Sequence, residues 1–228
     1  MQTPYLPRAI FGDDFNHVYE PAEDTFLLLD ALEQDLELLK EGVDICLECG
    51  SGSGTIITAL SIAFKQGLEQ EATTKNRLML ATDINHEACR TTRKCASYHN
   101  QLHNLEIIRT NLAESLVDRL GNSVDLLLFN PPYVPTDSNE TVEGANQLQH
   151  SWAGGKKGRE LIDIFLESYV PRLLNKPNGV AYMVALSENN INELCNALSD
   201  KHKLAGKVVL QRRAGPELLH VIKYQWIT

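Results

Sequence analysis

The chain contains no long hydrophobic run. Its 228 residues are 43% hydrophobic, yet no stretch approaches the roughly 18 apolar residues that a membrane-spanning helix needs. Residues 1–16 carry prolines and acids but no basic segment followed by an apolar core, so we expect no signal peptide. The length predicts a single well-buried globular domain over residues 1–228, without internal repeats or a linker.

Cysteine is scarce, and its number is odd. The five are Cys46, Cys49, Cys89, Cys95 and Cys195. An odd, sparse set does not form a disulfide framework and is typical of a reducing compartment. We therefore expect the cytoplasm as the location, and the nucleus as a second one.

Two spacings of these cysteines are compatible with metal or redox chemistry. Cys46-x-x-Cys49 has the redox or half-zinc pattern, but it falls within a strand and no second pair lies nearby. Cys95, His99 and His103 share helical i, i+4 spacing, which a polar helix end also explains. We expect no metal at either place.

The chain also lacks an excess of positive charge, with 21 Lys and Arg residues against 30 Asp and Glu residues. The formal net charge is −9, and the compact basic clusters are Lys156-Lys157 with Arg159, and Arg212-Arg213. Proteins that bind duplex DNA usually carry a basic face, because phosphate neutralisation dominates their affinity. A nucleic-acid partner is therefore not expected.

The most informative feature present is the tetrapeptide Asn130-Pro131-Pro132-Tyr133. It directly follows residues 124–129, an apolar run of strand length, and open α/β sheets bind ligands at the carboxyl ends of their strands. The Asn130 side chain and a backbone carbonyl fixed by proline offer two neighbouring acceptors. Together they could hold both hydrogens of a planar –NH2 group, with the Tyr133 ring stacked on it.

A second motif, Glu48-Cys49-Gly50-Ser51-Gly52-Ser53-Gly54, leaves a predicted strand and opens a helix. Its glycines allow a tight turn and a close ligand approach. A threonine stands where a dinucleotide fingerprint has its last glycine, and no lysine follows as in a P-loop. Glu48 would repel a pyrophosphate but suits a cationic ligand group, which favours S-adenosylmethionine over NAD.

Two polar residues end the next predicted strands. Asp83 could accept both hydroxyls of a ribose, as acids do in nucleotide-binding βαβ units; an exposed helix cap is the alternative, although Asn85 already serves that purpose. Asn111 is placed to meet an adenine edge, and an ordinary turn residue explains it nearly as well.

Strands alternate with helices along the chain, which predicts an α/β fold with a mostly parallel sheet and helices on both faces. The first helix is predicted from Glu20 to Gly42. Two terminal strands, 207–211 and 218–224, are predicted to pair as an antiparallel hairpin.

Four segments in this order resemble one family. They are Tyr19–Thr25, Glu48–Gly54, Asn130–Tyr133 and Ser151–Glu160. Together they are similar to the HemK-like glutamine methyltransferases, in particular the eukaryotic form that modifies class I translation release factors. The resemblance covers nearly the whole chain and implies a Rossmann-like, seven-stranded class I methyltransferase sheet, with residues 1–42 packing over the donor site.

The resemblance also implies the ligands and partners. The donor would be S-adenosylmethionine, held by Tyr19, Thr25, Glu48, Gly50, Ser51, Gly52, Asp83, Ile84, Asn111, Leu112 and Asn130. The acceptor would be the glutamine of a Gly-Gly-Gln loop in the release factor. A small zinc-binding activator subunit would pair with the edge strand 105–109. The family often has Asp where this chain has Asn111, which keeps an acceptor for adenine without the charge.

The expected chemistry is direct transfer of the sulfonium methyl to the glutamine side-chain nitrogen. Asn130 and the Pro131 carbonyl would hold the two N–H groups and help to free the nitrogen lone pair, by positioning and electrostatics alone. Trp152 is predicted as a substrate-facing wall. Arg159 is predicted to clamp a carbonyl of the acceptor loop, with a surface salt bridge as the alternative.

Other functions stay open at this point. Adenine-N6 nucleic-acid methylation uses the same amino-group chemistry and a similar tetrapeptide, and the resemblance also leaves protein lysine methylation as an alternative. A non-catalytic scaffold that only binds the donor is the third possibility, which the intact residues 130–133 disfavour.

Overall fold

The computed structural model describes residues 1–66, 76–136 and 154–227, built around one seven-stranded sheet. Trp152 and most of the polar loop before it lie outside these ranges. The strands are β1 (Ile45–Cys49), β2 (Leu78–Asp83), β3 (Leu105–Arg109), β4 (Leu126–Phe129), β5 (Val180–Leu186), β6 (Leu204–Ala214) and β7 (Glu217–Trp226).

The strand order is β3-β2-β1-β4-β5-β7-β6. Strands β1 to β5 run parallel, β7 lies antiparallel to β5, and β6 lies antiparallel to β7. This confirms the mostly parallel sheet with an antiparallel C-terminal hairpin. The hairpin strands extend beyond the predicted residues 207–211 and 218–224, because pairing continues through Leu204↔Trp226 at one end and Ala214↔Glu217 at the other.

The helices are α1 (Arg8–Phe11), α2 (Glu23–Gln34), α3 (Leu36–Gly42), α4 (Thr55–Lys65), α5 (His86–Tyr98), α6 (Glu160–Ile164), α7 (Val170–Leu173), α8 (Ile191–Asn196) and α9 (Ser199–His202). A π-helical segment, Phe165–Tyr169, joins α6 to α7. In the described part of the chain, none of these helices has both the length and the apolar content to cross a membrane.

The helix predicted from Glu20 to Gly42 is not continuous but forms α2 and α3, so the prediction of one helix was wrong. It breaks at Asp35, whose backbone (φ −102°, ψ 7°) leaves the helical conformation. The Asp35 carboxylate accepts hydrogen bonds from the Tyr182 hydroxyl and, at 2.7 Å, from Lys223 Nζ. These partners lie on β5 and β7, so contacts to the sheet hold Asp35 between two helices.

The core lies between the sheet and the helices. The central strand β4 is buried along its whole length, as expected of a parallel strand covered on both faces. On α2, Leu27, Leu28 and Leu32 are fully buried, and the helix packs across β6 and β7. This packing brings the first turn of α2 to the carboxyl end of the sheet.

The sheet has its topological switch point at β1. From β1 the chain builds β2 and β3 on one side and β4 and β5 on the other. Connections that diverge in this way leave a crevice outside the carboxyl ends of the strands, where α/β proteins bind their ligands.

Candidate active site

A cavity of about 290 Å³ opens at this crevice. Every predicted donor-site and catalytic residue lines it, namely Tyr19, Thr25, Glu48, Gly50, Ser51, Gly52, Asp83, Ile84, Asn111, Leu112, Asn130, Pro131, Pro132 and Tyr133. Lining residues that the sequence analysis missed include His17, Asp24 and Glu217. The fold therefore brings segments from all along the chain to one place.

The glycine turn between β1 and α4 forms the floor of the cavity. Gly50, Gly52 and Gly54 all have positive φ, at 67°, 50° and 78°. A Cβ atom on Gly54 would lie only 2.7 Å from the Thr92 Cα on α5, so only glycine fits there. At Gly50, a Cβ would come within 3.5 Å of the Phe129 ring.

Glu48 lies beneath this turn and is almost fully buried, with 1% of its surface exposed. Its Oε2 accepts the Ile57 N–H at 3.0 Å, which joins β1 to the first turn of α4. Burial raises the pKa of Glu48 well above its usual range, and the nearby Asp83 adds to that rise. A cationic group in the cavity would oppose both effects.

Asp83 ends β2 and holds the turn from the other side. Its Oδ2 accepts the Gly52 N–H at 3.0 Å, and its Oδ1 accepts the Asn85 N–H at 2.9 Å. Burial raises the pKa of Asp83 while these backbone bonds act to lower it. Each carboxylate oxygen retains acceptor capacity for a ligand hydroxyl.

Two apolar side chains line the cavity beside Asp83. Ile84 is 64% exposed, and Leu112 adopts a left-handed backbone with φ 46°. That conformation is strained for a residue with a Cβ atom, and strain of this kind clusters at ligand sites. Asn111 precedes Leu112 and also lines the cavity.

A buried carboxylate, Asp24, organises the predicted catalytic tetrapeptide. Its Oδ2 accepts hydrogen bonds from Asn130 Nδ2 and from the Tyr133 hydroxyl, each at 3.0 Å. The Tyr19 hydroxyl reaches Oδ1 at 3.4 Å. Asn130 Oδ1 is buried and has no hydrogen-bond partner in the described chain. It is an acceptor at the cavity wall that a bound N–H group could satisfy.

Both tyrosines in this cluster remain hydrogen-bond donors. Burial raises the pKa of Tyr133 above its ordinary value, and the charge of Asp24 raises it further. The same two causes raise the pKa of Tyr19. Neither phenol ionises near neutral pH, so each keeps its proton toward Asp24.

The backbone of the tetrapeptide is fixed from behind by Asn189, which is fully buried. Asn189 Nδ2 donates to the Tyr133 and Lys157 carbonyls, each at 2.9 Å, and its Oδ1 accepts the Leu186 N–H at 2.7 Å. A Cβ on Gly154 would lie 2.6 Å from the Pro132 carbonyl, so the glycine-rich segment packs directly against residues 130–133. Nothing in the sequence pattern marked Asn189.

Of the two other predicted substrate residues, only Arg159 lies within the described ranges. Arg159 forms salt bridges with Asp163 (2.6 Å) and Glu193 (2.8 Å), and it does not line the cavity. These contacts correspond to the salt-bridge alternative for Arg159. Its contact with a carbonyl of the acceptor loop stays a prediction. Trp152 falls outside the described residues.

The cysteines and histidines that shared metal-like spacing have separate partners. Cys46 and Cys49 are buried in β1, and burial raises the pKa of Cys49 to about 12. Cys95 Sγ donates to a backbone carbonyl, while His99 lies beside the Tyr5 carbonyl. Over the described ranges, no three His, Cys, Asp or Glu side chains are grouped so that they could hold a metal ion.

The residues of the cavity fit S-adenosylmethionine. Asp83 offers two carboxylate oxygens for ribose hydroxyls, Glu48 offers a negative environment for a cation, and the glycine turn allows close approach. This combination on a doubly wound seven-stranded sheet defines a class I S-adenosylmethionine-dependent methyltransferase.

Comparisons with known proteins identify the family. No protein-family profile matches the chain. It is 44% identical to the human protein named Methyltransferase HEMK2, over 97% of this chain and 95% of that protein. It is 34% identical to the fission yeast eRF1 methyltransferase catalytic subunit mtq2, over 92% and 90% of the two chains. A bacterial relative, the release factor glutamine methyltransferase of Aquifex aeolicus, is 30% identical over 71% of this chain and 52% of its own length.

Among solved structures, the Mtq2–Trm112 complex from E. cuniculi contains a chain with a TM-score of 0.61 and 25% identity. The match covers 92% of this chain and 99% of that one. The described complex is responsible for methylating the eRF1 translation termination factor. By its identity to the human and fission yeast proteins over nearly their whole length, the chain belongs to the HEMK2 family of methyltransferases.

Proposed function

We propose that this chain methylates the glutamine side-chain nitrogen in the Gly-Gly-Gln loop of a class I translation release factor. The observation that carries the proposal is the buried Oδ1 of Asn130, which has no hydrogen-bond partner within residues 1–66, 76–136 and 154–227 and lies at the wall of the cavity. The choice of substrate is supported by two relatives, which are named as an eRF1 methyltransferase subunit and as a release factor glutamine methyltransferase. The nucleic-acid, lysine and scaffold alternatives have no comparable support.

The donor would lie along the cavity floor. Asp83 would accept the ribose hydroxyls, Glu48 would favour the cationic part, and Ile84 with Leu112 would contact the faces of the adenine. Asn111 would accept from the adenine amino group, and Tyr19, Thr25 and the turn 50–52 would complete the site. S-adenosylmethionine supplies an electrophilic methyl group on a positively charged sulfur.

The acceptor amide nitrogen is a poor nucleophile because its lone pair is delocalised into the carbonyl. Asn130 Oδ1 would accept one of its N–H groups and the Pro131 carbonyl the other, while the Tyr133 ring packs on the amide plane. These contacts turn the nitrogen toward the methyl group and stabilise the positive charge that develops on it. The N–C bond would form as the S–C bond of the donor breaks, which would leave the donor sulfur as a neutral thioether, and the nitrogen would then release one proton to water, so no strong general base is required.

A small zinc-binding activator subunit is the proposed partner, with β3 as its docking strand. β3 lies at one edge of the sheet, and its Ile107 and Ile108 are only half-buried. An edge strand presents unpaired backbone groups that a second chain can extend. The Trm112 chain in the E. cuniculi complex supports such a partner. We propose the cytoplasm as the location, with the nucleus as a second one, because the substrate is a translation factor.

The test is methyl transfer from labelled S-adenosylmethionine by the chain co-expressed with a Trm112-type subunit. The acceptors are a release factor, the same factor with its loop glutamine replaced, and an adenine-containing oligonucleotide. We expect label on the intact release factor only. Label that persists after the glutamine is replaced, or that appears on the oligonucleotide alone, would overturn the proposal.

Two variants assign the activity to the site. Asn130→Ala is expected to reduce transfer at least 100-fold, the order seen when one aligned hydrogen-bonding group is removed from an active site. Asn192→Ala makes the same change on the exposed face of α8 and should leave transfer unchanged.

A further inference from the structure

Asp24 has more hydrogen-bond partners than a helix-terminal acid needs. It lies in the first turn of α2 and is only 4% exposed. Besides Asn130, Tyr133 and Tyr19, it accepts the Thr25 N–H at 2.7 Å and the Thr25 hydroxyl at 3.3 Å. An exposed acid on the first turn of a helix interacts favourably with the helix dipole, but that role does not require burial against a catalytic segment.

The chemistry of these bonds fixes the orientation of one amide. An ionised carboxylate is a hydrogen-bond acceptor only, whereas the Asn130 amide has a donor end and an acceptor end. Asn130 must therefore turn its NH2 group toward Asp24 Oδ2, as the 3.0 Å contact records. The opposite rotamer would bring Asn130 Oδ1 against a carboxylate oxygen, with two acceptors and no proton between them.

The consequence appears on the other side of the same amide. With Nδ2 committed to Asp24, Oδ1 is the other end of the amide, and it is buried with no hydrogen-bond partner among the described residues. The Tyr133 hydroxyl shares Asp24 Oδ2, so the two ends of the tetrapeptide are tied to one atom. Asn130 and Asp24 are 106 residues apart in the chain.

We propose that Asp24 is a positioning residue that selects the reactive orientation of Asn130, presenting its carbonyl oxygen to the N–H of the acceptor amide. This inference rests on the proposed glutamine methylation. Asp24 itself need not touch the transferred methyl group, because it acts through Asn130.

The first test replaces the carboxylate with an amide of the same shape. In Asp24→Asn, the residue at 24 can donate to Asn130 Oδ1 and so stabilise the wrong rotamer. We expect kcat for methyl transfer by the two-subunit enzyme to fall about 100-fold, with KM for the release factor changed by less than about threefold. Glu23→Gln is the matched control, since it makes the same change one residue earlier on an exposed side chain that does not line the cavity. Its kcat should equal that of the wild type.

The second test exchanges the two groups. Asn130→Asp alone places two carboxylates about 3 Å apart and should be nearly inactive. In the exchanged variant, Asp24→Asn with Asn130→Asp, an amide again donates to an acceptor and an oxygen of residue 130 again faces the cavity. We expect the exchanged variant to be at least tenfold more active than Asn130→Asp. If Asp24 only supported the fold, the two losses would combine, and an exchanged variant no better than the worse single variant overturns the proposal.

A third measurement is independent of any acceptor. The side-chain NH2 of Asn130, observed by 15N NMR and assigned with Asn130→Asp, should show a slowly exchanging proton in the wild type and in Glu23→Gln. Exchange should accelerate at least tenfold in Asp24→Asn, and unchanged exchange refutes the proposed orientation even if the substrate is misassigned. Absence of methyl transfer in the wild type, with this NMR pattern intact, would count against the proposed function alone. Thermal unfolding and donor binding of each variant identify any that does not fold.

Discussion

Removing the Asn189 side chain tests how firmly the catalytic backbone is held. Asn189→Ala eliminates three hydrogen bonds of 2.7–2.9 Å, to the Tyr133 carbonyl, the Lys157 carbonyl and the Leu186 N–H. A buried hydrogen bond contributes about 1 kcal/mol net, and a partner left unsatisfied costs about 1–3 kcal/mol. Because Asn189 is 0% exposed, we expect a loss of about 3–5 kcal/mol in the free energy of unfolding.

Urea denaturation followed by circular dichroism measures this loss, and the melting temperature should fall by about 10 °C for a chain of this length. Methyl transfer, assayed well below the melting temperature, should fall as well, because the carbonyl of Tyr133 is no longer fixed. Asn192→Ala, on the exposed face of α8, is the control and should change stability by less than about 0.5 kcal/mol. A loss below about 1 kcal/mol for Asn189→Ala would refute the reasoning, because water would then be replacing the amide.

Three further predictions concern the cavity floor and the sheet. Gly54→Ala forces a Cβ to 2.7 Å from the backbone of α5 and should destabilise the chain by about 2–4 kcal/mol. In Gly52→Ala the new Cβ meets no atom within 4 Å, so this variant should lose only about 1 kcal/mol through left-handed backbone strain. Equal losses of the two variants in urea denaturation would contradict this. Burial raises the pKa of Glu48, so ionisation of this carboxyl lowers the free energy of unfolding above pH about 4. Glu48→Gln should therefore raise the melting temperature at pH 7 but not at pH 4. In the same variant, calorimetry should show weaker binding of the donor. Burial acts to raise the pKa of Asp35, but hydrogen bonds from Lys223 and a tyrosine outweigh it and lower that pKa. The stability that this provides is present at neutral pH and is lost as the pH falls below about 4. Asp35→Asn should therefore flatten the dependence of the unfolding free energy on pH between about 4 and 2, and an unchanged dependence in that range would count against the prediction.

Local sequence patterns were sufficient to predict those helices and strands whose bounds depend on neighbouring residues in the chain. The strand Leu105–Arg109 has its predicted bounds, and the helix His86–Tyr98 begins after Asn85, whose side chain accepts the Glu87 N–H at 2.9 Å. The tetrapeptide lies where an apolar run ends, so its place at the cavity was also predictable.

Long-range contacts decide the features that the sequence did not reveal. The helix break at Asp35 depends on side chains of β5 and β7. The π-helical segment places Phe165 with its ring centroid 4.6 Å from that of Phe129, a contact that no local period encodes. In the sequence, Asp24 appears only as part of the segment Tyr19–Thr25, because two of its partners, Asn130 and Tyr133, lie more than 100 residues away.

The exposed edge at β3 has a consequence for how the chain behaves when it is made in excess. One side of this five-residue strand pairs with β2, and no strand of the described residues pairs with its other side. Such an edge is a template for any extended segment, including the same edge of another copy. The proposed subunit would therefore protect the chain from self-association as well as activate it, so that cells lacking the subunit should accumulate aggregated rather than merely idle enzyme.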